Sequence, residues 1–127
     1  MPKAYDNVWQ GNTKRVLTVC SANMLRSPTI AHVLSAEPFN YNTRSCGTYD
    51  FALIPITREL LDWADEIVCA DTEHAEKVIK YLHLYRIKDK PVVNLRIPDH
   101  YEYRNPELIQ RIIDTYKYSI TYDVQEP

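Results

Sequence analysis

Apolar residues in this chain alternate between short unbroken runs and stretches where they recur every three or four positions. Residues 16–19, Val-Leu-Thr-Val, form the first run and read as a strand buried on both faces. Ser27 then offers an N-cap and Pro28 the first helical position, where a missing N–H costs nothing. Ile30, Val33 and Leu34 follow at helical spacing until Glu37-Pro38 ends the run. Residues 43–48, "TRSCGT", are a weaker strand candidate, and a short helix is expected over 57–64 with Leu60, Leu61 and Ala64 inward. "EIVCA", 66–70, reads as the next strand. Asp71 can cap a helix in which Ala75, Val78, Ile79 and Leu82 form the inner stripe. "PVVNL", 91–95, is a fourth strand, and Asn105-Pro106 opens a last helix carrying Leu108, Ile109, Ile112, Ile113 and Tyr116.

Strands alternating with helices imply right-handed crossovers and a parallel sheet covered on both faces. The expected fold is α/β and Rossmann-like: three αβα layers around a four-stranded parallel sheet. The whole chain, 1–127, is expected to be one domain with its core over about 14–118. Ligands in such folds bind beyond the carboxyl ends of the strands. Residues 20–27 and the loops after residues 70 and 95 should therefore meet at one edge.

Composition narrows the partners. The chain is 45% hydrophobic and 25% charged, as ordinary globular proteins are, and no apolar run nears the length of a membrane span. Residues 1–15 lack the apolar centre of a secretory signal, so a cytoplasmic protein is expected. With 15 basic and 17 acidic residues well mixed, no nucleic-acid footprint and no membrane association are expected. Any attraction for an anion must be built locally. Cys20, Cys46 and Cys69 are too scattered for a disulfide framework or a zinc site. His32, His74, His83 and His100 are scattered too, and read as surface or helix residues rather than ligands.

The local site lies in "CSANMLRS", residues 20–27. A loop of this length between strand and helix can curl so that successive peptide N–H groups point inward. Such a nest, joined to the positive end of a helix dipole, holds a tetrahedral oxyanion. The Arg26 guanidinium could close the ring on two oxygens at once. The Cys20 sulfur beneath would feel those dipoles, which should favour its thiolate. The Cys-x5-Arg spacing alone arises often by chance; the preceding strand, Ser27 and the Ser-Pro helix start make it specific.

These residues resemble the phosphate loop of the low-molecular-weight protein tyrosine phosphatase family, which reads Cys-x-x-Asn-x-x-Arg-Ser followed by Pro. Cys20, Asn23, Arg26, Ser27 and Pro28 match in order. "SCGT", 45–48, resembles the family's Ser-Ala-Gly-Thr, and "IPDHY", 97–101, its late Asp-Pro-Tyr loop. The resemblance implies a metal- and cofactor-free phosphatase working through a phosphocysteine. Cys20 would be the nucleophile. Arg26 and the amides of Ser21, Ala22, Asn23, Met24 and Leu25 would hold phosphate oxygens. Ser27 would donate to the departing sulfur, Asn23 would hold the loop, and Asp99 would be the general acid and base. Asp71 also follows a strand, though capping the next helix explains it. Tyr49 and Tyr101 would wall a slot deep enough to favour phosphotyrosine, with Phe51 and Tyr103 as weaker candidates. The expected partner is a phosphotyrosine-containing protein or a small aryl phosphate, met by a monomer.

Three positions depart from the family pattern: Leu25 stands where a second, protective cysteine is common, Ala22 replaces a glycine, and His100 replaces the proline after the acid. No fast protective disulfide at Cys20 is expected, and Cys46 and Cys69 read as core residues. The segment after Thr48 is short and lacks the family's support for Asn23. Alternative readings are an arsenate reductase, which would need further cysteines absent from 70–127, a phosphoserine phosphatase of the same fold, and a phosphopeptide-binding protein without turnover.

Overall fold

The computed structural model describes residues 13–21, 26–49, 51–97 and 105–123, the last five of these by backbone alone. Elements follow in the order β1 (Arg15–Cys20), α1 (Arg26–Ser35), β2 (Asn42–Gly47), α2 (Arg58–Trp63), β3 (Glu66–Cys69), α3 (Thr72–Leu84), β4 (Val92–Asn94) and α4 (Pro106–Asp123). The four strands pair in parallel in the order β2-β1-β3-β4. The chain leaves β1 toward β2 on one side and leaves β3 toward β4 on the other. The connections therefore part between β1 and β3, and a crevice opens beyond the carboxyl ends of those two strands.

Alternation along the strands divides the core into two layers. Val16, Cys20, Val68 and Val93 pack with Ile30, Val33 and Leu34 of α1 and Leu108, Ile112 and Tyr116 of α4. Leu17, Val19, Cys46, Ile67 and Cys69 face the opposite way, onto Leu60, Leu61 and Trp63 of α2 and Ala75, Val78 and Leu82 of α3. This is why residues 16–19 show no polar alternation: β1 is covered on both sides. Its one hydroxyl is satisfied internally, since Thr18 Oγ1 donates to the Ser27 carbonyl at 2.7 Å and so ties the strand to the first turn of α1.

The α/β three-layer expectation holds, with three local differences. Helix α1 begins at Arg26, so Ser27 lies inside the first turn instead of capping it, and its hydroxyl faces Cys20. Ile79 belongs to the periodic stripe of α3 yet is 46% exposed, because it sits at the border of the buried face. Ile109 and Ile113 of α4 are only partly buried, beside the fully buried Leu108, Ile112 and Tyr116. The caps at Asp71 and Asn105 form as expected: the Asp71 carboxylate accepts from Thr72 N–H at 2.8 Å, and Asn105 Oδ1 from Glu107 N–H at 2.8 Å.

At the opposite edge of the sheet the chain is pinned by charge. Glu66 is buried and accepts from the Tyr116 hydroxyl at 2.7 Å and from Lys14 Nζ at 2.9 Å. Phe39 and Tyr41 pack on Tyr116, and Lys14 lies 5.3 Å from the Tyr41 ring centre. Beside this group, Asp65 accepts from the Arg15 backbone N–H and from its guanidinium, both at 2.9 Å.

Candidate active site

Cys20 is the last residue of β1 and is 3% exposed, at the crevice between β1 and β3. Its sulfur lies 3.0 Å from Ser27 Oγ, within hydrogen-bonding reach. The hydroxyl can lie there because α1 starts one residue earlier than Ser27 and aims its first turn back at the strand end. Arg26, at the helix start, is also 3% exposed and donates through Nη1 to the Ile97 carbonyl at 3.0 Å. That carbonyl belongs to the segment running on from β4, which Ile97 N–H anchors to the Ala70 carbonyl at 2.7 Å. Cys20, Arg26 and Ser27, within eight consecutive residues, thus share one buried corner with the ends of β3 and β4.

The strand end is braced from its other side. Thr48 N–H donates to the Cys20 carbonyl at 2.9 Å and Tyr49 N–H to the Ser21 carbonyl at 3.0 Å. The "SCGT" stretch therefore delivers Tyr49 directly beside the loop start. Its ring packs against Phe51 at 5.0 Å, and Lys77 Nζ lies 5.1 Å from its centre. Tyr49 is 37% exposed and Phe51 76% exposed.

Ala22, Asn23, Met24 and Leu25, together with Asp99, Tyr101 and Tyr103, lie outside the described residues. Asp71 lies within them and is occupied as a cap, which leaves it the role its position suggested. Cys46 and Cys69 are fully buried and pair with Val19 from opposite sides of β1. Two strand spacings, about 9.6 Å, separate them, beyond the reach of a disulfide. Burial pushes both thiols up, out of the range in which a thiolate forms. Both are core residues on the face opposite Cys20. Among the described residues, no group of three His, Cys, Asp or Glu side chains is placed to hold a metal ion, and no helix is long and apolar enough to cross a membrane.

No family model and no curated protein sequence matches the chain. Solved structures do. YwlE arginine phosphatase from Geobacillus stearothermophilus superposes with a TM-score of 0.61 over 90% of this chain and 97% of its own, at 17% identity. Wzb of Vibrio vulnificus, solved with benzylphosphonate, gives 0.63 over 84% and 97%, at 20% identity. The Erwinia amylovora tyrosine phosphatase AmsI gives 0.65 over 87% and 93%, at 16% identity. The chain has the low-molecular-weight tyrosine phosphatase fold. Agreement in fold at so little identity means that the αβα frame persists where most of the side chains differ.

One helix residue of this fold does more than its position in the chain suggested. His74, expected to be a surface or helix residue, lies in α3 and is fully buried, three positions past the Asp71 cap. Its Nδ1 accepts the Asp71 backbone N–H at 3.0 Å, and its Nε2 lies 2.9 Å from Ser21 Oγ. The signal was present as Asp-x-x-His at capping-box spacing, with histidine in the place that glutamate usually takes. An open groove of about 530 Å³, bordered by Leu82, His83, Arg86 and Val92, lies at the far end of α3. The helix length puts it about 15–20 Å from this corner.

Proposed function

We propose that the chain is a cysteine-dependent phosphate monoester hydrolase that acts on phosphotyrosine in proteins, or on small aryl phosphates. The observation that carries this reading is the 3.0 Å approach of the Ser27 hydroxyl to the Cys20 sulfur, with the residue adjoining Ser27 in the chain, Arg26, also buried. A structural cysteine needs neither neighbour, whereas a nucleophile that must later leave needs both. The phosphatase names of the structural neighbours point the same way.

In the first step the Cys20 thiolate attacks phosphorus as the bond to the leaving oxygen breaks, and Asp99 gives that oxygen a proton. Arg26 and the amides of the 21–26 loop hold the three equatorial oxygens, where the transition-state charge resides. In the second step Asp99 takes a proton from water, the water oxygen bonds to phosphorus, and sulfur leaves as thiolate. The Ser27 hydroxyl donates to that thiolate and lowers the cost of its departure. Asn23 holds the loop. Tyr49 and Tyr101 flank the mouth, so that a phosphate reaches the sulfur only at the tip of a long flat side chain. The chain works as a single-domain monomer in the cytoplasm, with no metal or cofactor in the reaction.

The test is turnover of para-nitrophenyl phosphate alongside phosphotyrosine, phosphoserine and phosphoarginine peptides and arsenate. Activity highest on phosphotyrosine, and lost by a factor on the order of 10⁴ or more in Cys20→Ser while vanadate still binds, is the expected result. An inert wild-type protein that binds vanadate would make it a binding protein, and arsenate reduction would reassign the chemistry.

A further inference from the structure

We propose that His74 is a positioning residue for the phosphate loop, acting through the side chain of Ser21. The proposal rests on the phosphatase reading above and deepens it. Because Nδ1 accepts the Asp71 peptide N–H, the ring proton must sit on Nε2. Nε2–H then donates to Ser21 Oγ at 2.9 Å, and the serine's own proton is left to point at Glu73 Oε1, 3.4 Å away. The Glu73 carboxylate also lies 3.2 Å from Nε2. A directed chain thus runs from a peptide N–H through imidazole and hydroxyl to a carboxylate, with each donor orienting the next.

Ser21 is the residue directly after the nucleophile. Its carbonyl is held by Tyr49 N–H and its hydroxyl by His74, so β2's end and α3's first turn grip it from two sides. An oxyanion cradle built from peptide N–H groups works only if those groups are already aimed, since a misplacement near 1 Å can cost about 100-fold in rate. The complete burial of His74 keeps water from competing for either ring nitrogen. Its cost to the fold is met by the cap it forms, and the second nitrogen is left to act on the loop.

Three variants separate the two jobs of the ring. In His74→Asn the amide oxygen falls near the Nδ1 position and keeps the cap, but the side chain is too short to reach Ser21. In His74→Gln the amide nitrogen falls near Nε2 and keeps the Ser21 bond while the cap acceptor is lost. Ser21→Ala removes the receiving hydroxyl. We expect kcat/KM on para-nitrophenyl phosphate to fall about 10-fold in His74→Asn and in Ser21→Ala, and no further in the double variant. His74→Gln should recover most of what His74→Asn loses, although it melts at a lower temperature than His74→Asn. Activity that follows the melting temperatures, or losses that multiply in the double variant, would overturn the proposal while leaving the phosphatase reading intact. A wild-type protein without turnover would overturn both.

Discussion

At one edge of the sheet, Glu66 is closed off by Tyr116 and Lys14, and Asp65 by Arg15, so formal charges answer one another across elements far apart in sequence. At the other edge, Cys20 meets a hydroxyl, Arg26 meets the Ile97 carbonyl, and the carbonyls of Cys20 and Ser21 meet backbone N–H groups. The first edge is built from charge pairs whose demands are met within the pair. The second is built from a hydroxyl on the Cys20 sulfur, a guanidinium on a backbone carbonyl, and peptide N–H groups on the carbonyls of Cys20 and Ser21. That difference separates a clasp from the corner proposed as the anion site. A cradle for an anion must hold positive potential that the protein itself does not neutralise.

The comparison can be broken by variants that move each edge alone. The largest effect is expected for Arg26→Lys: a point charge cannot span two oxygens, and kcat/KM should drop by roughly 10²–10³-fold. Near-normal rates by steady-state assay would show that the guanidinium clamps nothing. At the clasp, Tyr116→Phe removes one hydrogen bond to the buried carboxylate of Glu66 and should cost about 1–2 kcal/mol in urea unfolding. Burial, reinforced by Glu66, raises the Tyr116 hydroxyl far above its ordinary range, so it donates at every working pH. Its kcat should stay at the wild-type value; a matching loss of activity would mean that the two edges are coupled.

The smallest effect concerns Asp65. Burial pulls its carboxyl upward, but the hydrogen bonds and charge of Arg15 outweigh that and hold it below the ordinary value of 3.8. A carboxyl lowered by folding stabilises the native state above the unfolded value, and this contribution is lost as pH falls through the folded one. Asp65→Asn should therefore cost stability at pH 7 and less near pH 2. The pair is partly exposed, and its size lies in the roughly 0–1 kcal/mol range of surface ion pairs. Denaturation curves at the two pH values decide it: an equal loss at both would remove the ionic explanation.

Much of this was legible in the chain because it depends on neighbours in sequence. A strand covered on both faces shows as an unbroken apolar run at 16–19, and helix α4 shows as Leu108, Ile112 and Tyr116 at steps of four. The meeting of Cys20 and Ser27 near the buried helix start could be read because they lie within eight consecutive residues. Ser27 was placed at the wrong helical position, since a cap and a first-turn hydroxyl look alike in sequence. Only the direction of α1 against β1 tells them apart.

What the chain alone determined was the alternation of strand and helix, and the eight residues in which a thiol, a guanidinium and a hydroxyl stand at loop spacing. Those features follow from local periodicity and from covalent distance along the backbone. Tertiary structure alone decided which side of β1 receives β3, and so where the crevice opens. It also decided that His74, 53 residues from Ser21, would touch it, and that Glu66 would find Tyr116 50 residues away. Contacts across such separations depend on strand order and helix direction, which the packing of two core layers settles together and no single segment encodes.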